Sequence, residues 1–351
     1  MGGRLALFAL TIMCAAPLHA ASSGSLRLFL GTGYDSNARR DFVTPDHGNG
    51  VVAEPDLALS ALGSVDGFLQ GASSQAKGSY DLGVRKFLRL PSEDVLVQAA
   101  SMEGSVLLGK SFGAGLTARG KDRRGGDRDY SDLAARAFVE LVPDPRVELK
   151  ADVGAHRFLY WNRFDYSFFA TEVGLFGRYR FDRRHSVFVY GDASPRRYQG
   201  LTNTNPGDLQ PPPPSRREDF VLTTSAGYAF RGPFTLSLSY AFTEQASNSY
   251  GETALRHRLN ATGGFRLPWQ LTLLAQLAVQ LSRYPDGVFL SSELNIVEDD
   301  ESHNSASLKL VRPVSKRVDV ELRYALYQNR LPQNGLTYLR QTGWVGLTWR
   351  L

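Results

Sequence analysis

"VELKADVGAH", residues Val147–His156, is the stretch on which the fold turns. Val147, Leu149, Ala151, Val153 and Ala155 alternate with Glu148, Lys150, Asp152, Gly154 and His156. Successive side chains of a strand point to opposite faces, so extended backbone gives this segment one oily face and one charged face. A surface strand over a soluble core has the same pattern. What distinguishes the two cases is the medium that each face meets.

The pattern recurs. "DLAARAFVEL" (Asp132–Leu141) alternates Leu133, Ala135, Ala137 and Val139 with Ala134, Arg136, Phe138 and Glu140. "VDVELRYALY" (Val318–Tyr327) sets Asp319, Glu321 and Arg323 against Val320, Leu322 and Tyr324. Period-two matching yields about sixteen such segments, from 25–36 to 338–351, with the second to fifth at 55–65, 74–88, 94–107 and 111–121. Tight connections such as "DRRH" (Asp182–His185) and "RGP" (Arg231–Pro233) take turns, from about residue 108 onward, with long ones at 120–129, 199–216, 284–301 and 330–337; another long one lies at 37–54. Outer-membrane barrels show this asymmetry of short periplasmic turns and longer outer loops. In hydrocarbon no backbone group can stay unpaired, so a sheet that crosses must close on itself. The expected fold is all-β: a closed antiparallel transmembrane β-barrel of about sixteen strands, oily face to lipid and charged face to a watery lumen. A soluble β-sandwich, the alternative, must pack its apolar faces inward and manage its edges. It predicts more even loop lengths.

The ends fit this reading. "MGGRLALFALTIMCAAPLHA" (Met1–Ala20) has Arg4 ahead of an apolar run and a small-residue site at Ala20, the features of a secretory leader. The expected organisation is a signal peptide over 1–20 and an outer-membrane barrel over 21–351. Cys14, the single cysteine, raises a lipidation alternative, but Met13 is bulky where such signals take a small residue. The mature chain then has no cysteine and no disulfide. The net charge of +5 arises from 40 basic and 35 acidic residues mixed along the chain, with no basic run or helix to suggest nucleic-acid binding. Tyr160, Trp161, Phe164, Tyr166, Phe168 and Phe169 gather near one outer loop, and Trp269, Trp344 and Trp349 near the other end, as interfacial girdles would.

No residue set dictates enzyme chemistry. The histidines are scattered without metal-ligand spacing, so no metal site and no cofactor is expected. His156 near Asp152 and His303 after Glu301 keep a rim hydrolase open as an alternative. Glu298–Glu301 ("EDDE") offers carboxylates to a divalent cation or is only solvated, and Pro211–Pro214 reads as a stiff polyproline loop. The informative set is the lumen-facing one. Candidate wall contacts are Asp35, Asn37, Glu148, Lys150, Asp152, Arg256, Arg258, Asp319, Glu321 and Arg323. Rings of one sign select ions; interleaved signs suit a hydrated passage for a polar solute, or ion-pair ladders bracing a filled barrel.

The first segment ends Gly33-Tyr34-Asp35-Ser36-Asn37. "GYDSN" in that place resembles the outer-membrane barrels found with exopolysaccharide export systems. It is also similar to the barrel parts of surface-lipoprotein assembly modifiers and of polysaccharide secretins. The resemblance implies a pore in polysaccharide export, with outer-membrane lipid, polysaccharide and a separate periplasmic export component as partners. Such families often carry periplasmic repeats, which do not precede the first segment here. The ending Trp349-Arg350-Leu351 also departs from the usual terminal aromatic residue. A general porin-like channel and a non-conducting scaffold barrel are the other functional expectations, with oligomeric state left open.

Overall fold

The computed structural model describes residues 21–40, 52–126, 128–285, 304–330 and 337–351. The expected leader with Cys14, together with His47, Glu298–Glu301 and His303, lies outside them. Sixteen strands follow one another: β1 (Ala21–Asp35), β2 (Asp56–Gln70), β3 (Ser74–Phe87), β4 (Val95–Leu107), β5 (Phe112–Arg124), β6 (Tyr130–Asp144), β7 (Val147–Tyr160), β8 (Phe168–Arg180), β9 (His185–Leu201), β10 (Arg216–Arg231), β11 (Phe234–Ser247), β12 (Ala254–Arg266), β13 (Thr272–Arg283), β14 (Asn304–Pro313), β15 (Val318–Arg330) and β16 (Thr337–Arg350). Each pairs antiparallel with its sequence neighbours, and β16 pairs with β1 to close the barrel.

The faces are as the alternation demands. Leu28, Leu30, Val153, Leu175 and Val189 point outward and are exposed. Exposed apolar side chains in every quarter of the wall would be intolerable in water; against acyl tails they are at home. Arg27, Arg136, Glu148, Asp152 and Glu321 share the opposite, inner face with their directly paired cross-strand neighbours.

Short turns and long loops alternate from the first strand pair, not only from residue 108. The turns at 71–73 and 108–111 belong to the short end, and 88–94, 161–167 and 248–253 join the long end. The sequence pattern places the second strand at 55–65, five residues short of its end in the structure. In the barrel Asp66 faces inward and pairs with Arg27 at 2.9 Å, so β2 runs on to Gln70. Similarly, 120–124 and 199–201 are strand rather than loop. In the short turn after β8, the backbone N–H groups of Arg184 and His185 donate to Asp182. They hold its carboxyl below the usual range, so this brace is complete at neutral pH and is lost as pH falls through the lowered value.

The aromatic placement needs correction. Trp344, Tyr160 and Phe168 lie on the inner face, and Trp344 and Tyr160 are buried there. Trp269 in the β12–β13 turn and Trp349 on the outer face of β16 do lie at the short-turn rim, where rings on the outside of β8–β12 extend the girdle. Phe234 stacks between Phe230 and Phe265 at 4.8 and 5.7 Å, and Tyr179 meets Phe181 at 5.1 Å. Alternation alone assigns a face. It does not assign height.

Closure depends on the β1–β16 seam. Asp35 accepts hydrogen bonds from Arg340 Nε at 2.9 Å and Nη2 at 2.5 Å, and both residues are fully buried. Ser36 exchanges contacts with Gln341, its N–H donating to the Gln341 carbonyl at 2.9 Å and its Oγ accepting from the Gln341 N–H at 2.8 Å. Asn37 turns back, its N–H donating to Asp35 at 3.1 Å and its side chain to the Leu339 carbonyl at 3.4 Å. A Cβ on Gly33 would sit 2.3 Å from the Trp344 ring, so only glycine fits below it. Arg340→Ala leaves a buried carboxylate unpaired and is expected to cost about 3–5 kcal/mol, seen as loss of the compact, heat-modifiable form at lower temperature; adding Asp35→Ala should restore part of that.

Candidate functional site

The lumen wall carries the polar chemistry, and it falls into three regions. The first is a lid at the long-loop end over β1–β3 and β16. Ala38 and Leu90, from the loops after β1 and β3, pack on the inward-facing Ala58, Phe87 and Trp344. Asp56 pins the second loop by accepting from the N–H groups of Leu57, Arg89 and Leu90 at 2.7, 2.8 and 2.9 Å. Three backbone donors on one carboxylate fix a loop whose own N–H groups would otherwise lack partners.

The second region is a groove of about 610 Å³ on the inner side of β1–β6, opening at the short-turn end. Its polar lining is divided between hydroxyls, from Ser23, Ser25, Ser79, Ser101 and Thr117, and charges, from Asp66, Lys77, Glu103, Arg119 and Arg136. Ser79 and Ser101 share a hydrogen bond at 2.7 Å. Two ion pairs lie here, Arg27 with Asp66 at 2.9 Å and Lys77 with Glu103 at 3.1 Å, and Arg119 adds a further cation.

The third is a network on β6–β9. Arg136 donates to Asp152 at 2.8 Å, Glu172 at 2.8 Å and Tyr190 at 2.9 Å, and lies 3.1 Å from Asp192. His156 bridges Glu172 at 2.9 Å and Asp132 at 2.7 Å. Nearer the long-loop end a run of rings crosses the same strands, with Tyr130–Phe158, Phe158–Phe168 and Phe168–Tyr198 centroids 5.5, 5.6 and 5.2 Å apart. Arg196 lies over Phe168 and Arg217 over Tyr198.

The sequence-selected residues all reach the inner wall or its rim, in different states. Asp35 and Asn37 are fully buried in the seam and present no surface to a solute. Glu148 joins Arg178 and Arg180 at 3.1 and 2.6 Å. Lys150 lies 3.6 Å over the Phe138 ring, and Asp152 belongs to the Arg136 network rather than to His156. Arg256 reaches Gln245 at 3.4 Å and Arg258 reaches Asn260 at 3.0 Å. Glu321 gathers Lys309, Arg323 and Thr348 at 2.9, 2.5 and 2.7 Å, and Asp319 pairs with Arg350. Most are therefore braces between strands. His156 has a carboxylate on each ring nitrogen, the geometry of a tie across three strands rather than of a base facing a nucleophile. The hydroxyl groove was not singled out from sequence, because isolated serines on a strand carry no signal beside charged neighbours.

No family model and no curated protein matches the chain. Solved structures match it in shape. OmpF of Salmonella typhi, in complex with daunomycin, aligns with a TM-score of 0.51 at 10% identity, covering 94% of this chain and 97% of that one. OmpT of Vibrio cholerae, with its loop L8 deleted, aligns at 0.48 and 9% identity over 95% and 99%. A bacterial polysaccharide outer membrane secretin aligns at 0.43 and 8% identity over 93% and 98%. At such identities the likeness concerns fold: a barrel matching those of outer-membrane proteins.

Arg136 is the cation among Asp152, Glu172 and Asp192. Arg136→Gln is expected to destabilise the barrel by about 3 kcal/mol, since buried carboxylates lose their counter-charge. It should also raise the preference for cations in a conducting barrel, measured as a shifted reversal potential in a salt gradient.

Proposed function

We propose that residues 1–20 direct export, that 21–351 insert in a bacterial outer membrane, and that the lumen conducts a hydrated polar solute, most specifically a polysaccharide leaving the cell. The observation that carries this is the groove at the short-turn mouth, where hydroxyls lie among interleaved charges of both signs. Hydroxyls exchange hydrogen bonds with sugar hydroxyls at little net cost, so each contact forms and releases readily. Interleaved charges do not hold a neutral chain, whereas a ring of one sign would trap ions. The "GYDSN" resemblance adds the export direction. Outer-membrane lipid surrounds the wall, and a separate periplasmic component delivers the polymer.

A sixteen-strand barrel is wide enough for an aqueous channel. Purified protein in planar bilayers should give stable conductance, and neutral oligosaccharides added on the short-turn side should interrupt it; Ser79→Trp should lower both conductance and interruption. A silent bilayer would identify a scaffold and end the pore reading. Conductance in the protein, but unchanged surface polysaccharide in cells lacking it, would leave a general channel and remove export.

A further inference from the structure

The outer surface of the wall carries a feature that lumen function does not use. On the outside of β7–β9, Arg157 stands directly opposite Phe169, and Phe169 opposite Arg197. Adjacent strands are about 4.8 Å apart, so Arg157 and Arg197 stand on either side of Phe169, on strands about 10 Å apart. Phe169 is 53% exposed. The Arg197 side chain is 76% exposed, with Glu218 at 3.4 Å on its far side. Arg157 is exposed, and among the described residues no carboxylate lies within ion-pair distance of it. Two cations beside an exposed ring, at the top of an apolar wall, leave a vacant position for an anion with an apolar body.

The wall below accommodates that body. A furrow of about 850 Å³ runs across the outside of β6–β11, lined by Leu175 and Val189 with the small residues Ala151, Gly177, Gly191 and Ala226 between strands. Ala151 is six residues below Arg157 on β7, about 20 Å along the strand. That distance is within the reach of an acyl chain whose head group sits on the arginines. The same rim carries outward cations on other strands: Lys86, Arg124, Arg216 and Arg283. The opposite rim combines aromatic rings with cations of its own, such as Arg312.

We propose that Arg157, Phe169 and Arg197 form a seat for the phosphorylated head group of an outer-leaflet lipid, whose acyl chains lie in the furrow over Gly177 and Gly191. The phosphate takes charge-assisted hydrogen bonds from both guanidinium groups, and the chains fill space that small residues leave open. The proposal rests on insertion in lipid and is independent of what the lumen carries.

The test uses the purified mature chain in detergent, with thermal unfolding as readout. The probes are bisphosphorylated lipid A, the same lipid stripped of phosphate, and inorganic phosphate. Lipid A should stabilise the barrel, the stripped lipid should bind about tenfold more weakly, and inorganic phosphate should give no shift. Arg157→Ala with Arg197→Ala should abolish the preference for the phosphorylated form. Gly191→Leu should weaken both lipids alike, at a position where an added Cβ meets nothing within 4 Å and folding is therefore spared. Heat-modifiable mobility confirms that each variant is closed. An unchanged phosphate preference in the double variant overturns the seat, and inorganic phosphate acting as strongly as lipid A overturns the lipid.

Discussion

Hydrocarbon offers a peptide group no partner, and everything in this barrel follows from that. A sheet with a free edge cannot stay in such a medium. Fifteen of the sixteen strand pairings join sequence neighbours; only the β1–β16 pairing joins the ends of the chain. The buried Asp35–Arg340 pair, the Ser36–Gln341 exchange and the Asn37 turn lie at one end of that pairing. The stretch Gly33–Asn37, which by resemblance points to export barrels, is in this structure a clasp on the seam. Each of its side chains except Tyr34, which faces lipid, has a partner or a clearance requirement there.

The same constraint organises the lumen. Once the outside is apolar, most ionic side chains of the spans fall on the inner wall, and outward ones such as Arg157 and Arg197 are held near the rim. The inward ones are arranged as ties: Glu148 to β8, Arg136 across β7–β9, Glu321 to β14. Breaking one of these leaves a desolvated charge, so the ladders resist shear between strands even where the pair itself adds little. The groove on β1–β6 carries such ties as well, Arg27 to Asp66 and Lys77 to Glu103, and it still leaves room.

The strand pattern was legible because one physical rule, alternation, sets it at every residue. It placed fourteen or more residues of β7 and β15 on their correct faces and gave the strand number. It ended the second strand short of Asp66, whose place on the inner face depends on a pairing to Arg27 far away in sequence. It also could not tell Trp344, which lies over Gly33 inside the wall, from an interfacial tryptophan, because height in a bilayer depends on register and tilt. Charged candidates such as Glu321 were recognisable as inward, but their role as ties depends on partners ten or more residues away. The groove of serines and the Arg157–Phe169–Arg197 row are products of cross-strand register. No single segment contains either.

Arg340 and Asp35 stand 305 residues apart. Neighbouring hairpins can form as soon as each is made, but the last pairing awaits both ends of the chain. Contacts of such sequence separation form slowly, since chain entropy must be lost before they are rewarded. Until then two edges remain open, and open edges invite aggregation. The lifetime of the unclosed intermediate, rather than the stability of the finished cylinder, is then what sets the yield of folded molecules.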